Sequence, residues 1–273
     1  MSQSAEHDRE GVAWQRAVWG RYPEIYQREV DPRFVPVVEQ VIRRAALALG
    51  QHVLDLGAGT GAVALKAAPF VAPDGEVLGV DLSPAMLSVA QQRAVDLGLT
   101  NVRFREGRAE VIPAEDDAFH VVLASLSLMY AIDRIAAARE IGRVLRPGGR
   151  FVAAVWAGPE ECDIVLFQQT AGRFAPPPPV PGVGPGVLAD PTPFLAQLEA
   201  AGIEAGVETE TLGFDFADFT SAWTVLAGVT TAQLPPERQQ EAQTAVRAAM
   251  WPHGESPRHF RNVTQFIVGQ RRA

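Results

Sequence analysis

A glycine-rich turn between an apolar run and a helical segment constrains the fold of this chain more than any other feature. Residues 52–57 form the short apolar run, and residues 62–70 follow with helical character. Such a run is typical of a strand buried in a parallel sheet. Gly57, Gly59 and Gly61 fill the turn, where glycine permits a positive φ and leaves the backbone open to a ligand. The turn therefore predicts a βα unit with a ligand at the carboxyl end of its strand.

Strand-like and helix-like segments alternate along most of the chain. Further strands are predicted at residues 76–81, 102–105, 119–124, 150–156, 207–216 and 262–269, with helical segments between them. This alternation requires parallel pairing with right-handed crossovers, which places helices on both faces of the sheet. We therefore predict the α/β class, with a doubly wound, seven-stranded, mostly parallel sheet whose last strand is antiparallel.

The segments outside the central alternation predict a cap and a lid on one structural domain. Residues 1–50 predict an N-terminal helical cap, residues 51–157 the ligand-binding core, and residues 158–273 the remaining strands. Within that last part, residues 218–250 predict a C-terminal helical insertion that forms a lid over the substrate side. The proline-rich residues 175–186 predict an exposed loop that either borders the active site or acts as a stiff connection.

Charge and cysteine content argue against several kinds of partner and site. A formal net charge of −8 disfavours nucleic acid and anionic membrane surfaces as partners. Cys162 is the single cysteine, and no Cys/His cluster has the spacing of a metal site, so we expect no disulfide and no metal. Residues 1–10 lack the pattern of a signal peptide, and no apolar run reaches the roughly 18 residues of a spanning helix, so we expect a cytoplasmic protein. A monomer and a homodimer both stay open.

A carboxylate at the end of the second strand adds to the glycine turn. Asp81 stands where it can accept hydrogen bonds from both hydroxyls of a ribose, or cap the turn that follows. The glycines are spaced G-x-G-x-G, whereas dinucleotide-binding turns follow G-x-G-x-x-G. With Asp55 before the glycines and a Pro-Gly-Gly turn at residues 147–149, residues 50–157 resemble the class I S-adenosylmethionine-dependent methyltransferases. The resemblance is closest to the ubiquinone/menaquinone biosynthesis type, also called methyltransferase type 11.

The resemblance implies S-adenosyl-L-methionine as the cofactor. It implies that the glycine turn holds the methionine part and that Asp55 orients the turn and the cofactor's ammonium group. Arg108 stands where the family usually carries an acidic residue that reads adenine, which leaves Glu110 or the backbone of Ala109 as substitutes. The implied cofactor-binding residues are Asp55, Gly57, Ala58, Gly59, Gly61, Asp81, Leu82, Met86, Arg108, Ala109, Glu110, Ser125, Tyr22 and Tyr26.

Aromatic and histidine residues are candidates for the substrate side. Tyr22 and Tyr26, together with Trp19, either line the site from the cap or pack the cap helices against one another. His253 and His259 fall near the predicted lid, where each is either a general base or a structural residue. No catalytic residue is assigned from the sequence.

These features favour an enzyme that transfers a methyl group to an oxygen, nitrogen or carbon atom of a small metabolite. One alternative is a protein of the same fold that binds the cofactor without transferring methyl, as a cyclase, a decarboxylase or a regulatory partner. A second alternative is an NAD-dependent dehydrogenase, which would require a second mononucleotide-binding half.

Overall fold

Seven strands form one sheet with helices on both of its faces in the computed structural model, which describes residues 3–273. Met1 and Ser2, which belong to the predicted cap over residues 1–50, lie outside the described residues. The strands are β1 His52–Leu56, β2 Glu76–Asp81, β3 Val102–Glu106, β4 Phe119–Ser125, β5 Leu145–Trp156, β6 Ile203–Phe216 and β7 Arg258–Arg271. Their order across the sheet is β3-β2-β1-β4-β5-β7-β6. The predicted doubly wound α/β sheet is confirmed.

The register of the sheet brings the carboxyl ends of β1, β2 and β4 side by side. β1 pairs in parallel with β2 and β4, so Asp55 lies between Gly79 and Leu123. β7 runs antiparallel between β5 and β6, which confirms the prediction for the last strand. Leu54 and Val122 are fully buried. Strands covered by helices on both faces bury nearly every residue, which explains their continuous apolar sequence.

Helices follow nearly every strand. Within residues 3–273 the α-helices are α1 Gln3–Trp19, α2 Pro23–Ile25, α3 Asp31–Ala45, α4 Ala62–Val71, α5 Pro84–Asp96, α6 Arg134–Val144, α7 Asp163–Gly172, α8 Thr192–Ala200, α9 Phe219–Leu226, α10 Gly228–Thr231 and α11 Pro236–Met250. A π-helical turn covers Tyr26–Val30, and a 3₁₀ turn covers Leu128–Tyr130. Across these described residues, no helix is both long enough and apolar enough to span a bilayer.

Three strands extend beyond a predicted end by four residues or more. β5 begins at Leu145, so the predicted turn at residues 147–149 falls inside the strand. There the register between β4 and β5 shifts, because Phe119 pairs with Leu145 but Val121 pairs with Arg150. β6 begins at Ile203, and β7 covers Arg258–Arg271, because the two strands pair along their whole length. Charged and polar residues at the strand ends interrupt the apolar pattern on which the prediction depended.

The helical insertion between β6 and β7, which the sequence predicts as a lid over the substrate side, consists of three helices. Residues 218–250 fold as α9, α10 and α11, which pack mainly on α7 and β6, with a break at Pro235. α1 lies across the carboxyl edge of the sheet. Gln15 Nε2 donates to the carbonyl oxygen of Tyr130 at 2.6 Å, and Arg16 Nε donates to that of Leu82 at 3.4 Å. α1 thus bridges the ends of β2 and β4.

Candidate functional site

A cavity opens at the carboxyl ends of β1, β2 and β4, beneath α1. It contains about 840 Å³ of space between the surrounding atoms, part of it open to solvent. The lining residues come from α1, the cap, the glycine turn and the segments after β2, β3 and β4: Val12, Gln15, Trp19, Tyr26, Leu56, Gly57, Gly59, Val80, Asp81, Leu82, Met86, Gly107, Arg108, Ala109, Glu110, Ser125, Leu126, Ser127, Leu128, Tyr130, Ala131 and Ile132.

The glycine turn forms one wall of the cavity. Gly59 has a φ of 53°, and a Cβ added to it would meet no heavy atom within 4 Å. The backbone at Gly59 therefore faces open space, and a ligand can approach it closely. The N–H groups of Gly57 and Ala58 both donate to the carbonyl oxygen of Val80, at 2.7 Å and 2.9 Å. These two bonds anchor the turn to β2.

Asp81 lies next to Gly59 at the end of β2. Its Oδ2 accepts from the Gly59 N–H at 2.9 Å, and its Oδ1 accepts from the Ser83 N–H at 2.8 Å. Burial raises the pKa of Asp81, and the backbone N–H groups of Ser83, Gly59 and Leu82 oppose that rise. A carboxylate oxygen has two lone pairs, so each oxygen can accept a further hydrogen bond from a ligand hydroxyl.

Asp55 does not line the cavity, contrary to the sequence-based prediction. Its carboxylate is 1% exposed, and its Oδ2 accepts from the Ala64 N–H, near the start of α4, at 2.9 Å. Successive strand residues point to opposite faces, so Leu56 lines the cavity and Asp55 points away from it. Burial raises the pKa of Asp55 to about 7. Asp55 fixes the start of the helix behind the glycine turn.

Three other predicted residues also lie outside the cavity. Ala58 is buried against Gly79 of β2, and Gly61 packs against Ala90 and Phe104 at the start of α4. Tyr22 turns away because its hydroxyl donates to the carbonyl oxygen of Gly228 in the helical insertion. The cavity is lined by the remaining predicted residues: Tyr26, Gly57, Gly59, Asp81, Leu82, Met86, Arg108, Ala109, Glu110 and Ser125.

The charged side chains of Arg108 and Glu110 form hydrogen bonds with neighbouring protein groups. Arg108 Nη1 and Nη2 donate to the two carboxylate oxygens of Asp8 on α1, at 2.6 Å and 2.9 Å. This pairing raises the pKa of Arg108. Glu110 Oε1 accepts from the N–H groups of Ile132 at 2.6 Å and Asp133 at 3.2 Å. The segment after β3 is therefore tied to α1 on one side and to the segment after β4 on the other.

One face of α1 forms the roof of the cavity. Val12, Gln15 and Trp19 all line it, and of these only Trp19 was predicted from the sequence. Their spacing of three and then four residues places them on one side of a helix. That spacing is the signal that could have identified them, but it does not say which part of the protein the face would cover.

An aromatic cluster forms a second wall of the cavity. The Trp19 ring centroid lies 6.2 Å from that of Tyr26 and 5.0 Å from that of Tyr130, in edge-to-face geometry. Tyr130 follows β4 and lines the cavity. Burial raises the pKa of both tyrosines, so their hydroxyls stay protonated and can act as hydrogen-bond donors.

Neither candidate histidine reaches the cavity. His253 is exposed, and His259 lies on β7 with its Nδ1 2.8 Å from Oδ1 of Asp215. Neither is among the lining residues, so neither is placed to act as a general base. Among the residues that the structure describes, no group of three or more His, Cys, Asp or Glu side chains is arranged to hold a metal ion.

Comparison with known protein families identifies the core that carries this cavity. A family model described as a methyltransferase domain matches residues 48–165, which include β1 to β5 and the glycine turn. Residues 48–165 are a class I methyltransferase domain. S-adenosylmethionine is the cofactor of this class.

Individual relatives agree with the methyltransferase domain. An uncharacterized methyltransferase YcgJ of Bacillus subtilis is 35% identical over 137 residues, which are 50% of this chain and 53% of that protein. A ubiquinone/menaquinone biosynthesis C-methyltransferase of Coxiella burnetii is 34% identical over 119 residues, which are 43% of this chain and 48% of that protein. This chain thus spans about half the length of the curated relatives it matches. The crystal structure of the Bacillus YcgJ protein shares the fold, with a TM-score of 0.65 at 24% identity, covering 86% of this chain and 98% of that one.

The cavity of the methyltransferase domain suits S-adenosylmethionine. Gly59 leaves open space where the methionine part would approach the backbone. Asp81 offers two partly satisfied carboxylate oxygens beside that space, which matches a pair of ribose hydroxyls. When bound, the cofactor supplies a methyl group that its sulfonium already activates, so the protein need only bind, orient and exclude water.

Proposed function

We propose that this protein transfers a methyl group from S-adenosylmethionine to a small molecule. The observation that carries the proposal is Asp81 at the end of β2, hydrogen-bonded to the Gly59 N–H beside a roofed cavity. In this proposal residues 51–157 hold the cofactor, and the flanking parts, residues 1–50 and 158–273, complete the fold around the substrate side.

The lining residues supply roles for cofactor binding. Asp81 accepts hydrogen bonds from the ribose hydroxyls, and Leu82 and Met86 pack against the nucleoside. The backbone of Ala109 and the free oxygen of Glu110 are within the same wall and are the candidates for reading adenine. Because Arg108 is paired with Asp8, its role is to hold α1 over the nucleoside rather than to contact adenine directly.

The substrate side is apolar and aromatic. Trp19, Tyr26 and Tyr130 form its aromatic wall, with Ile132 of the neighbouring segment. Aromatic faces attract cations, so this wall also stabilises the positive sulfonium beside it. α1 restricts the depth and size of the opening, which favours a small acceptor molecule over a polymer. Alignment of the acceptor with the methyl group and exclusion of water are then the main sources of rate enhancement.

Calorimetric titration of the full chain with S-adenosylmethionine and S-adenosylhomocysteine, with NADH as a control ligand, tests the proposal. We expect micromolar binding of both sulfur compounds and no binding of NADH. Asp81→Ala removes two charge-assisted hydrogen bonds, each worth about 1.5–3 kcal/mol, so we expect affinity to fall by about 100-fold or more. Asp74→Ala, at an exposed aspartate in the loop before β2, is the matched control and should bind as the parent protein does.

Two results would contradict the proposal. Binding of NADH instead of the sulfur compounds would indicate a nicotinamide-dependent enzyme. Unchanged affinity in Asp81→Ala would mean that the cofactor site lies elsewhere. Formation of S-adenosylhomocysteine with an acceptor from a panel of small amines, phenols and thiols separates methyl transfer from cofactor binding without transfer.

A further inference from the structure

Three elements meet behind the glycine turn, on the side away from the cavity. Asp31, the first residue of α3, is 8% exposed, and Thr60 of the glycine turn is 1% exposed. Thr60 Oγ1 donates to Asp31 Oδ2 at 2.7 Å, and Arg93 Nη1 of α5 donates to the same oxygen at 2.6 Å. Arg93 Nη1 also donates to the carbonyl oxygen of Thr60 at 2.7 Å. These bonds close a ring through the cap, the turn and α5.

The ring holds the one residue that separates the two last glycines of the turn. Thr60 lies between Gly59 and Gly61, whose φ angles are 53° and 87°. Left-handed glycines have broad conformational freedom, so the turn needs outside contacts to keep one conformation. Thr60 is held through both its hydroxyl and its carbonyl oxygen. The adjacent Gly59 N–H then points at Oδ2 of Asp81.

The same ring ties the turn to the aromatic wall. Asp31 follows directly on the π-helical turn Tyr26–Val30, whose first residue lines the cavity. A displacement of Thr60 therefore moves Asp31, and with it the segment that carries Tyr26. The ion pair between Asp31 and Arg93 favours one arrangement, because Asp31 is almost buried and would be left without a partner for its charge, whereas the Arg93 side chain is 25% exposed.

We propose that Asp31 is a positioning residue that acts through Thr60 to set the glycine turn for cofactor binding and to couple that turn to the cap. The proposal rests on the proposed function, because the turn is taken as the cofactor site. Asp31 touches neither cofactor nor substrate. Its effect is on the conformation of Gly59 and on the position of Tyr26.

Paired variants separate this role from a purely structural one. Thr60→Val keeps the shape of the side chain and removes the hydroxyl donor, whereas Thr60→Ser keeps the donor. Asp31→Asn removes the charge that holds Arg93. Glu39→Gln is the matched control, because Glu39 of α3 and Lys66 of α4 form an exposed ion pair at 3.4 Å between neighbouring elements.

The first measurement is the Kd for S-adenosylhomocysteine by calorimetry, at a temperature where circular dichroism shows each variant to be folded. We expect Thr60→Val and Asp31→Asn to raise Kd at least tenfold, and Thr60→Ser and Glu39→Gln to stay within twofold of the parent. A residue that contributed only to global stability would lower the melting temperature without changing Kd in the folded protein. Parent-like affinity in both Thr60→Val and Asp31→Asn would overturn the proposal.

The second measurement is hydrogen–deuterium exchange of the ligand-free chain, which does not depend on the identity of the cofactor. We expect Thr60→Val to speed amide exchange in residues 26–33 of the cap as well as in the glycine turn, and Glu39→Gln to leave both unchanged. Unchanged exchange in the cap of Thr60→Val would refute the coupling. If the parent protein fails to bind S-adenosylhomocysteine, the proposed function fails, and this measurement still decides the coupling.

Discussion

Two carboxylates at the ends of neighbouring strands have different tasks in this protein. Asp81 lines the cavity, with both oxygens bonded to backbone N–H groups. Asp55 is turned inward and bonds the N–H of Ala64. Because Asp55 is fully enclosed, loss of hydration raises its pKa to about 7, well above the usual value for an aspartate.

The inward position of Asp55 predicts an unusual pH dependence of stability. Its folded pKa is higher than its unfolded pKa, so the folded state binds more protons between those values, and stability falls as pH rises toward 7. From pH 5 to pH 8, a shift from 3.8 to about 7 corresponds to about 2.5 kcal/mol in the free energy of unfolding.

Asp55→Asn keeps an acceptor for the Ala64 N–H and removes the titration. We therefore expect the variant to gain stability relative to the parent as pH rises, by an amount of that order between pH 5 and pH 8. Urea unfolding of both proteins at the two pH values measures the difference. A constant difference between the two proteins would show that Asp55 titrates normally in the fold.

At the residue scale, the sequence could predict positions set by local structure but not those set by packing. The positions of Gly59 and Asp81 could be predicted from the ends of β1 and β2 and from the glycine spacing, because residues next to them in the chain set those positions. Tyr22 and Tyr26 are four residues apart on adjacent turns, yet only Tyr26 faces the cavity, because Gly228 of a distant element binds Tyr22. No sequence pattern predicted the role of Asp31, because its hydrogen-bond partners Thr60 and Arg93 are far away in sequence.

At the scale of elements, α1 is a roof held mainly by polar contacts. Arg108 pairs with Asp8, Arg16 pairs with Glu106, and Gln15 bonds the backbone of Tyr130. The sequence predicted a helical cap in this part of the chain but did not predict that α1 would cover the ends of β2 and β4. A helix with polar contacts to two strand ends has no apolar pattern that reveals its docking site.

The Arg108–Asp8 pair predicts that the roof responds to charge and salt. Arg108→Gln removes a partly exposed bidentate pair, which contributes about 1 kcal/mol after screening by solvent. We expect dissociation of S-adenosylhomocysteine to become about fivefold faster, with a weaker dependence on salt than in the parent protein. Stopped-flow fluorescence measures the rate at several salt concentrations.

Arg9→Gln is the control for this prediction, because Arg9 is an exposed residue of the same helix. It should leave the dissociation rate and its salt dependence unchanged. Equal rates in the parent and in Arg108→Gln would show that the pair does not hold α1 in place.

At the scale of the whole molecule, an aromatic core joins the antiparallel part of the sheet to the helical insertion. Phe260 of β7 is fully buried, and its ring centroid lies 5.0 Å from Phe216, 5.7 Å from Phe214 and 5.8 Å from Trp251. The alternation of strands and helices predicted a mostly parallel sheet with helices on both faces. It could not predict this core, because the contacts join strands to a helical segment between them.

The aromatic core predicts a large loss of stability on truncation. Phe260→Ala leaves a cavity where several elements meet, and we expect the free energy of unfolding to fall by about 3–5 kcal/mol. Phe70→Ala removes a phenylalanine that is 48% exposed and should cost less than about 1 kcal/mol. Denaturant unfolding measures both, and similar small losses in the two variants would mean that the core tolerates the cavity.

The place of β7 between β5 and β6 has a consequence for synthesis on the ribosome. Strands β1 to β5 can pair with one another as they emerge, but β6 pairs within the sheet only with β7, which is translated after it. A nascent chain therefore exposes the open edge of β5 and an unpaired β6 until Arg258–Arg271 appear. Glu204, Glu208 and Glu210 give β6 a row of negative charges during that interval, and like charges discourage pairing between neighbouring nascent chains.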